Sequence, residues 1–201
     1  MTTLSVLNVC GGNIEPLRDM VNEKKGYAFK TLNVDRCYFT STTPEDVEEY
    51  YRNTPGTFNN TNIYLNHDIF DFLERTNIMF DAVAIYRYLE HVSFTQILYF
   101  IYLLSRVVKK DGIVDIIVPD YTKLAEMILN ETIDDKKYEA NNILLTTELL
   151  NEPSNPHASI WTGPRLKYYW ELEGRFKGEN LFTSYKFDGR DIYLRAQVTR
   201  L

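Results

Sequence analysis

An apolar run, Leu4 to Val9, breaks at Cys10, Gly11, Gly12 and Asn13, and Asp35 closes a second such run, Ala28 to Val34. In an open α/β sheet that combination builds a nucleotide-type pocket at the carboxyl end of the first strand. Glycines let the backbone approach a ligand, the following helix N-terminus favours an anionic group, and the acid holds ribose hydroxyls. Each residue also has a plainer use: glycines punctuate tight turns after strands, and Asp35 beside Arg36 fits a solvated strand end. Further along, Tyr86 and Arg87 end another apolar run, Glu90 and His91 lie just beyond it, and His157 precedes a helical stretch. A carboxylate and two imidazoles are groups that can take a proton near neutral pH or orient a substrate. Glu90 equally suits a helix start and His91 a packed interior position. The three histidines show no ligand spacing, so no metal is expected.

These residues need a scaffold, and the composition bounds it. With 201 residues and 44% hydrophobic content, the chain can bury one sizeable core, so one domain over 1–201 is expected. Lys and Arg total 22 against 28 for Asp and Glu, a net charge of −6, which argues against a broadly basic nucleic-acid footprint. Two cysteines, Cys10 and Cys37, do not make a disulfide framework. The start carries no basic leader, and the most apolar stretch, Ile97 to Val108, is too short to span a bilayer and contains Arg106. The reading is therefore a cytoplasmic protein with no membrane partner.

Strand-like runs at Leu4 to Val9, Ala28 to Val34, Asn62 to Asn66, Phe80 to Tyr86 and Ile113 to Val118 alternate with helical patterns at Glu15 to Lys24, Phe70 to Arg75 and Phe94 to Lys109. This rhythm predicts a parallel sheet with right-handed crossovers. Residues 40–61, with Pro44, a Glu- and Tyr-rich helical piece and Pro55-Gly56, read as a loop insertion. Past Val118, Lys123 to Asn130, Lys137 to Leu150 and Pro164 to Phe176 look helical, and the segment 131–176 reads as a lid on the substrate side. Phe182 to Phe187 and Ile192 to Thr199, about a turn at Asp188-Gly189, form a hairpin pattern. The whole is an α/β, Rossmann-like, doubly wound seven-stranded sheet, mostly parallel with an antiparallel C-terminal hairpin.

Read in order, the blocks resemble those of the class I S-adenosylmethionine (SAM) dependent methyltransferases, in particular small members running from a glycine-rich first loop to a Val-Pro-Asp segment. Leu7 to Asn13 is similar to the first motif, and Leu32 to Asp35 to the second strand with its ribose-binding acid. His67-Asp68-Ile69 resembles the third-strand acidic turn. Phe80 to Val83 with Leu89-Glu90-His91-Val92, Arg106 to Gly112 and Val118-Pro119-Asp120 resemble the later motifs. The likeness covers nearly the whole chain apart from Cys37 to Asn62. Two positions depart from it: Cys10 stands where the family has glycine, and Lys110-Asp111 replaces a proline-glycine turn.

The resemblance implies SAM as cofactor, with Cys10, Gly11, Gly12, Asn13 and Asp35 around its carboxylate and ribose, Asp68 at the adenine amino group, Ile69 against the ring, and Tyr86 and Arg87 beside the methionine tail. A helix N-cap is an equally weighted use of Asp68, and the favoured use of Asp120. The implied reaction carries a methyl group to an oxygen or nitrogen of a small molecule, sugar or biopolymer. In-line alignment is its main requirement, because the sulfonium is already activated, and a base is needed only when the acceptor carries a proton. Glu90, His91 and His157 are the candidates for that base. The alternative is a non-catalytic SAM-fold module used for regulation or binding. A nicotinamide-dependent oxidoreductase would need a third glycine, which the first loop lacks. The aromatic-rich helix faces could support a homodimer, although aromatics at helical spacing more often fill cores.

Overall fold

The computed structural model describes residues 2–10, 27–36, 43–57, 60–130, 132, 157–187 and 190–201. Among them run β1 (Thr3–Val9), β2 (Ala28–Val34), α1 (Pro44–Asn53), β3 (Thr61–Leu65), α2 (Ile69–Arg75), β4 (Phe80–Tyr86), a 3-10 turn (Leu89–His91), α3 (Phe94–Val107), β5 (Val108–Pro119), α4 (Tyr121–Leu129), α5 (Gly163–Glu171), β6 (Phe176–Phe187) and β7 (Arg190–Arg200). The seven strands form one sheet in the order β3-β2-β1-β4-β5-β7-β6. β1 to β5 pair in parallel, while β7 runs antiparallel to both β5 and β6. The expected helices at Glu15 to Lys24 and Lys137 to Leu150, and the turn at Asp188-Gly189, lie outside the described residues. No described helix is long and apolar enough to cross a membrane.

The strands are apolar on both faces because helices cover a parallel sheet on either side. On one face Leu7, Val9, Leu32, Val34, Val83, Ile85 and Ile116 join the main core, which takes in α2, α3 and α5. α3 fits it because Ile97, Phe100, Ile101 and Leu104 fall at helical spacing and all are buried. Burying each such side chain contributes about 1.5–3 kcal/mol. On the other face Ala84, Tyr86, Ile117 and Tyr193 pack with Leu124 and Met127 of α4. Buried Asn8 and Asn33 share that second side through a hydrogen bond, Asn8 Nδ2 donating to Asn33 Oδ1 at 2.8 Å.

Side-chain caps fix the starts of α1, α2 and α4. Thr43 accepts from Asp46 N at 3.2 Å with Pro44 at the first helical position. Asp120 accepts from Thr122 N and Lys123 N at 3.0 and 3.3 Å, the N-cap role read from the sequence. Several boundaries differ from expectation. The helix from Phe94 ends at Val107, and Val108 already pairs with Phe80. Lys109 to Gly112 is then an irregularity inside β5, since the next pair is Ala82 with Ile113. Asp111 takes a left-handed φ of 62°, and a side chain at Gly112 would meet Lys109 O at 2.8 Å. The helix expected to reach Phe176 ends at Glu171, and Phe176 opens β6, six residues ahead of the expected strand start at Phe182.

Candidate active site

The strand order reverses between β1 and β4, which makes their carboxyl ends the switch point where open α/β sheets bind ligands. β1 ends in a fixed geometry: Cys10 N donates to Val34 O at 2.9 Å, and Cys10 adopts φ 50°. That left-handed conformation explains why a glycine suits the position, since a Cβ there crowds the following carbonyl. Gly11, Gly12 and Asn13 lie outside the described residues. Beside it, half-buried Asp35 sits just past β2 and its N–H donates to Leu65 O at 3.1 Å, tying it to the end of β3. Asp68 caps α2, accepting from Asp71 N at 3.1 Å, and also accepts from Arg36 Nη2 at 2.5 Å. Ile69, the next residue, is buried in the core.

Tyr88 completes this half of the site, and its role was not legible in the sequence, where it was one aromatic among many. Burial first, then the nearby Cys10, Asp68 and Asp35 groups, push its phenol well above its ordinary range, with Arg36 opposing them. The ring packs against Phe100 at 5.9 Å between centroids. Its signal was position: it follows the end of β4 at a backbone kink. Arg87 there takes φ 57° and its N–H donates to Ile117 O at 2.8 Å, leaving the Arg87 side chain exposed.

The second half stands on the 3-10 turn. Buried Glu90 and half-buried His91 and His157 each offer a ligand-type atom, and these atoms lie within 4.8 Å of one another. The two imidazoles meet edge to face at 4.9 Å. Far apart in sequence, the two segments are clasped through the backbone. Glu90 O accepts from Ala158 N at 2.7 Å and from Ser159 N at 3.0 Å. Leu89 O accepts from Ser159 Oγ at 3.0 Å and Trp161 Nε1 at 3.3 Å, and Trp161 also donates to Ser159 Oγ at 2.8 Å. Tyr121, at the start of α4, places its hydroxyl 3.0 Å from His157 Nδ1. Burial, and then the Glu90 charge, push the Tyr121 phenol up to about 12, so it stays protonated at neutral pH.

The structure therefore gathers Cys10, Asp35, Asp68 and Tyr88 at one end of the switch point, and Glu90, His91, His157 and Tyr121 beyond β4 and β5. Tyr86 belongs to neither group. Its side chain lies on the α4 face of the sheet, where its hydroxyl donates to buried Asp115 Oδ2 at 2.6 Å.

No family model and no curated protein matches this sequence. Solved structures do match in shape. A SAM-dependent methyltransferase from Methanosarcina mazei aligns over 100% of this chain and 94% of its own, with a TM-score of 0.57 at 12% identity. The N1-methyltransferase of 1,6-didemethyltoxoflavin from Burkholderia thailandensis, holding that compound and S-adenosylhomocysteine, aligns over 99% of this chain and 72% of its own, with a TM-score of 0.51 at 12% identity. A mycolic acid cyclopropane synthase in complex with S-adenosylhomocysteine aligns over 90% of this chain and 57% of its own, with a TM-score of 0.54 at 14% identity, so the chain spans little more than half of that protein. In its strand order, its parallel core and its antiparallel closing hairpin, the chain has the fold of the class I SAM-dependent methyltransferases.

Proposed function

We propose that this chain is a SAM-dependent methyltransferase that methylates an oxygen or nitrogen of a small molecule, sugar or biopolymer. What supports the proposal is the methyltransferase-type sheet, with its strand order reversing between β1 and β4, together with the Glu90, His91 and His157 group that lies just beyond β4. Asp35 takes the ribose hydroxyls and Asp68 the adenine amino group, with Ile69 behind it. Cys10, Gly11, Gly12 and Asn13 are the residues assigned to the cofactor carboxylate. Arg87 and Tyr88 bound the methionine side, and Tyr86 holds the end of β4 in place through Asp115.

The acceptor lies toward Glu90, His91 and His157. Its lone pair forms the bond to the methyl carbon as the carbon–sulfur bond breaks and S-adenosylhomocysteine leaves. An acceptor that carries a proton gives it to this group, in which the Tyr121 hydroxyl orients the His157 ring. Incubating the purified chain with methyl-labelled SAM and a panel of phenols, sugars and amines tests this. Label transfer that His157→Ala abolishes is the expected result. A chain that binds the cofactor but transfers label to none of them is a non-catalytic module instead.

A further inference from the structure

The structure assigns Glu90, His91 and His157 as a binding site for one divalent transition-metal ion of the zinc, cobalt or iron(II) type. Among the described residues this is the one group of three such donors, with one ligand atom from each lying within 4.8 Å of the others. Donors that share a tetrahedral ion through bonds of about 2.0–2.2 Å stand about 3.3–3.6 Å apart, so side-chain rotations that draw the donors together by about 1 Å close the set. The donor types select the ion. Two imidazoles and one carboxylate suit zinc, iron, cobalt or nickel, whereas magnesium and calcium prefer oxygen ligands throughout.

The frame around the donors is built. The turn bearing Glu90 and His91 and the segment bearing His157 are joined by two backbone hydrogen bonds to Glu90 O and two side-chain bonds to Leu89 O. Their relative placement is therefore set before any ion arrives. Behind the donors, the Tyr121 hydroxyl lies 3.0 Å from His157 Nδ1, the kind of outer partner that fixes the orientation of a ligating imidazole. One carboxylate against a divalent ion leaves net positive charge, which a coordinated acceptor oxygen would offset. On the methyltransferase reading, such an ion lowers the pKa of an acceptor hydroxyl in place of proton uptake by a side chain. That step rests on the reading, while binding of the ion does not.

The test uses the full chain stripped with a chelator and titrated with zinc alone, followed by calorimetry and by the imidazole ring signals in NMR. One ion per chain is expected, moving the signals of His91 and His157 but not those of His67, which is bonded to Asp71 on another turn. Both His157→Ala and Glu90→Gln weaken binding at least about tenfold, with their circular dichroism unchanged. The unaltered chain decides the matter even if a variant fails to fold. No saturable binding, binding that moves His67 as much as the other two, or binding indifferent to His157→Ala overturns the assignment. Titration of the metal-free chain with S-adenosylhomocysteine separates the two claims, since either ligand can fail while the other binds.

Discussion

Arg195 and Asp115 form a two-pronged ion pair between β7 and β5, with Nε at 2.9 Å from Oδ1 and Nη2 at 2.8 Å from Oδ2, both side chains almost wholly buried. The antiparallel hairpin strand is thereby pinned to the parallel core beside the carboxylate that also accepts from Tyr86. Arg195 further lies over the rings of Tyr185 and Phe182 at 5.3 and 5.7 Å. Removing the cation leaves the buried Asp115 charge without its counter-charge, held by the Tyr86 hydroxyl alone. Arg195→Leu is expected to cost about 3–5 kcal/mol in urea unfolding, and Arg195→Leu with Asp115→Leu less than the single change. Tyr86→Phe is expected to cost only about 1 kcal/mol, because Asp115 keeps its arginine.

Cys10 gives a second prediction, from its left-handed backbone at the end of β1. Glycine meets no steric penalty there, and a β-branched side chain meets the largest. Cys10→Gly should match or exceed the native stability despite the packing lost, and Cys10→Val should lose about 1–2 kcal/mol by denaturant unfolding. Equal stability of the two variants would contradict the strain argument.

The opposite end of the sheet carries an acid-dependent contact. Burial raises the Asp81 pKa, but bonds from Lys109 Nζ at 2.8 Å and from Ser5 N and Oγ at 2.8 and 2.7 Å outweigh it, and the carboxyl titrates below its ordinary 3.8. A group whose pKa falls on folding contributes stability that is full above its unfolded value and vanishes as pH drops through the folded one. Stability on the order of 1 kcal/mol should therefore be lost below about pH 4. Asp81→Asn should unfold more readily at pH 7 and lose less stability on acidification, as read from urea midpoints at pH 7 and pH 3.

Ser159 is the hinge pin of the clasp beneath the candidate site, donating to Leu89 O and accepting from Trp161 Nε1. Ser159→Ala removes both bonds from a fully buried position. It should cost about 1–3 kcal/mol by thermal unfolding and should broaden the His157 ring signals in NMR, because the clasp seating the His157 segment is then left with its backbone bonds to Glu90 O and the Trp161 bond to Leu89 O.

Much of this fold was legible in the residues. β1, β2 and β4 are short, largely apolar runs, and α3 repeats its apolar residues at the period of a buried helix. Boundaries were lost where polar residues sit inside strands. Lys109 to Gly112 reads as a helix stop, yet β5 runs through it as an irregularity. Lys177 to Leu181 carry no strand pattern, yet they belong to β6, an edge strand whose residues there are largely exposed, so the sequence has no apolar alternation to show. Of the candidate site, the helix-cap reading of Asp68 was legible and the fold shows it, while its nearness to Tyr88 was not. The meeting of Glu90 with His157 was not legible, because it depends on backbone carbonyls of the 3-10 turn accepting from a distant segment, and backbone bonding leaves no mark on residue type. Tyr88 was hidden for a similar reason: only the kink at Arg87 brings it to the acids.

Calorimetric titration of SAM and S-adenosylhomocysteine into the chain and into Asp35→Ala tests whether SAM is held at the switch point through Asp35, as proposed. The account predicts binding at about micromolar strength, weakened at least about tenfold in the variant, about 1.4 kcal/mol or more. Absence of binding by either ligand, or equal binding by the variant, would contradict it.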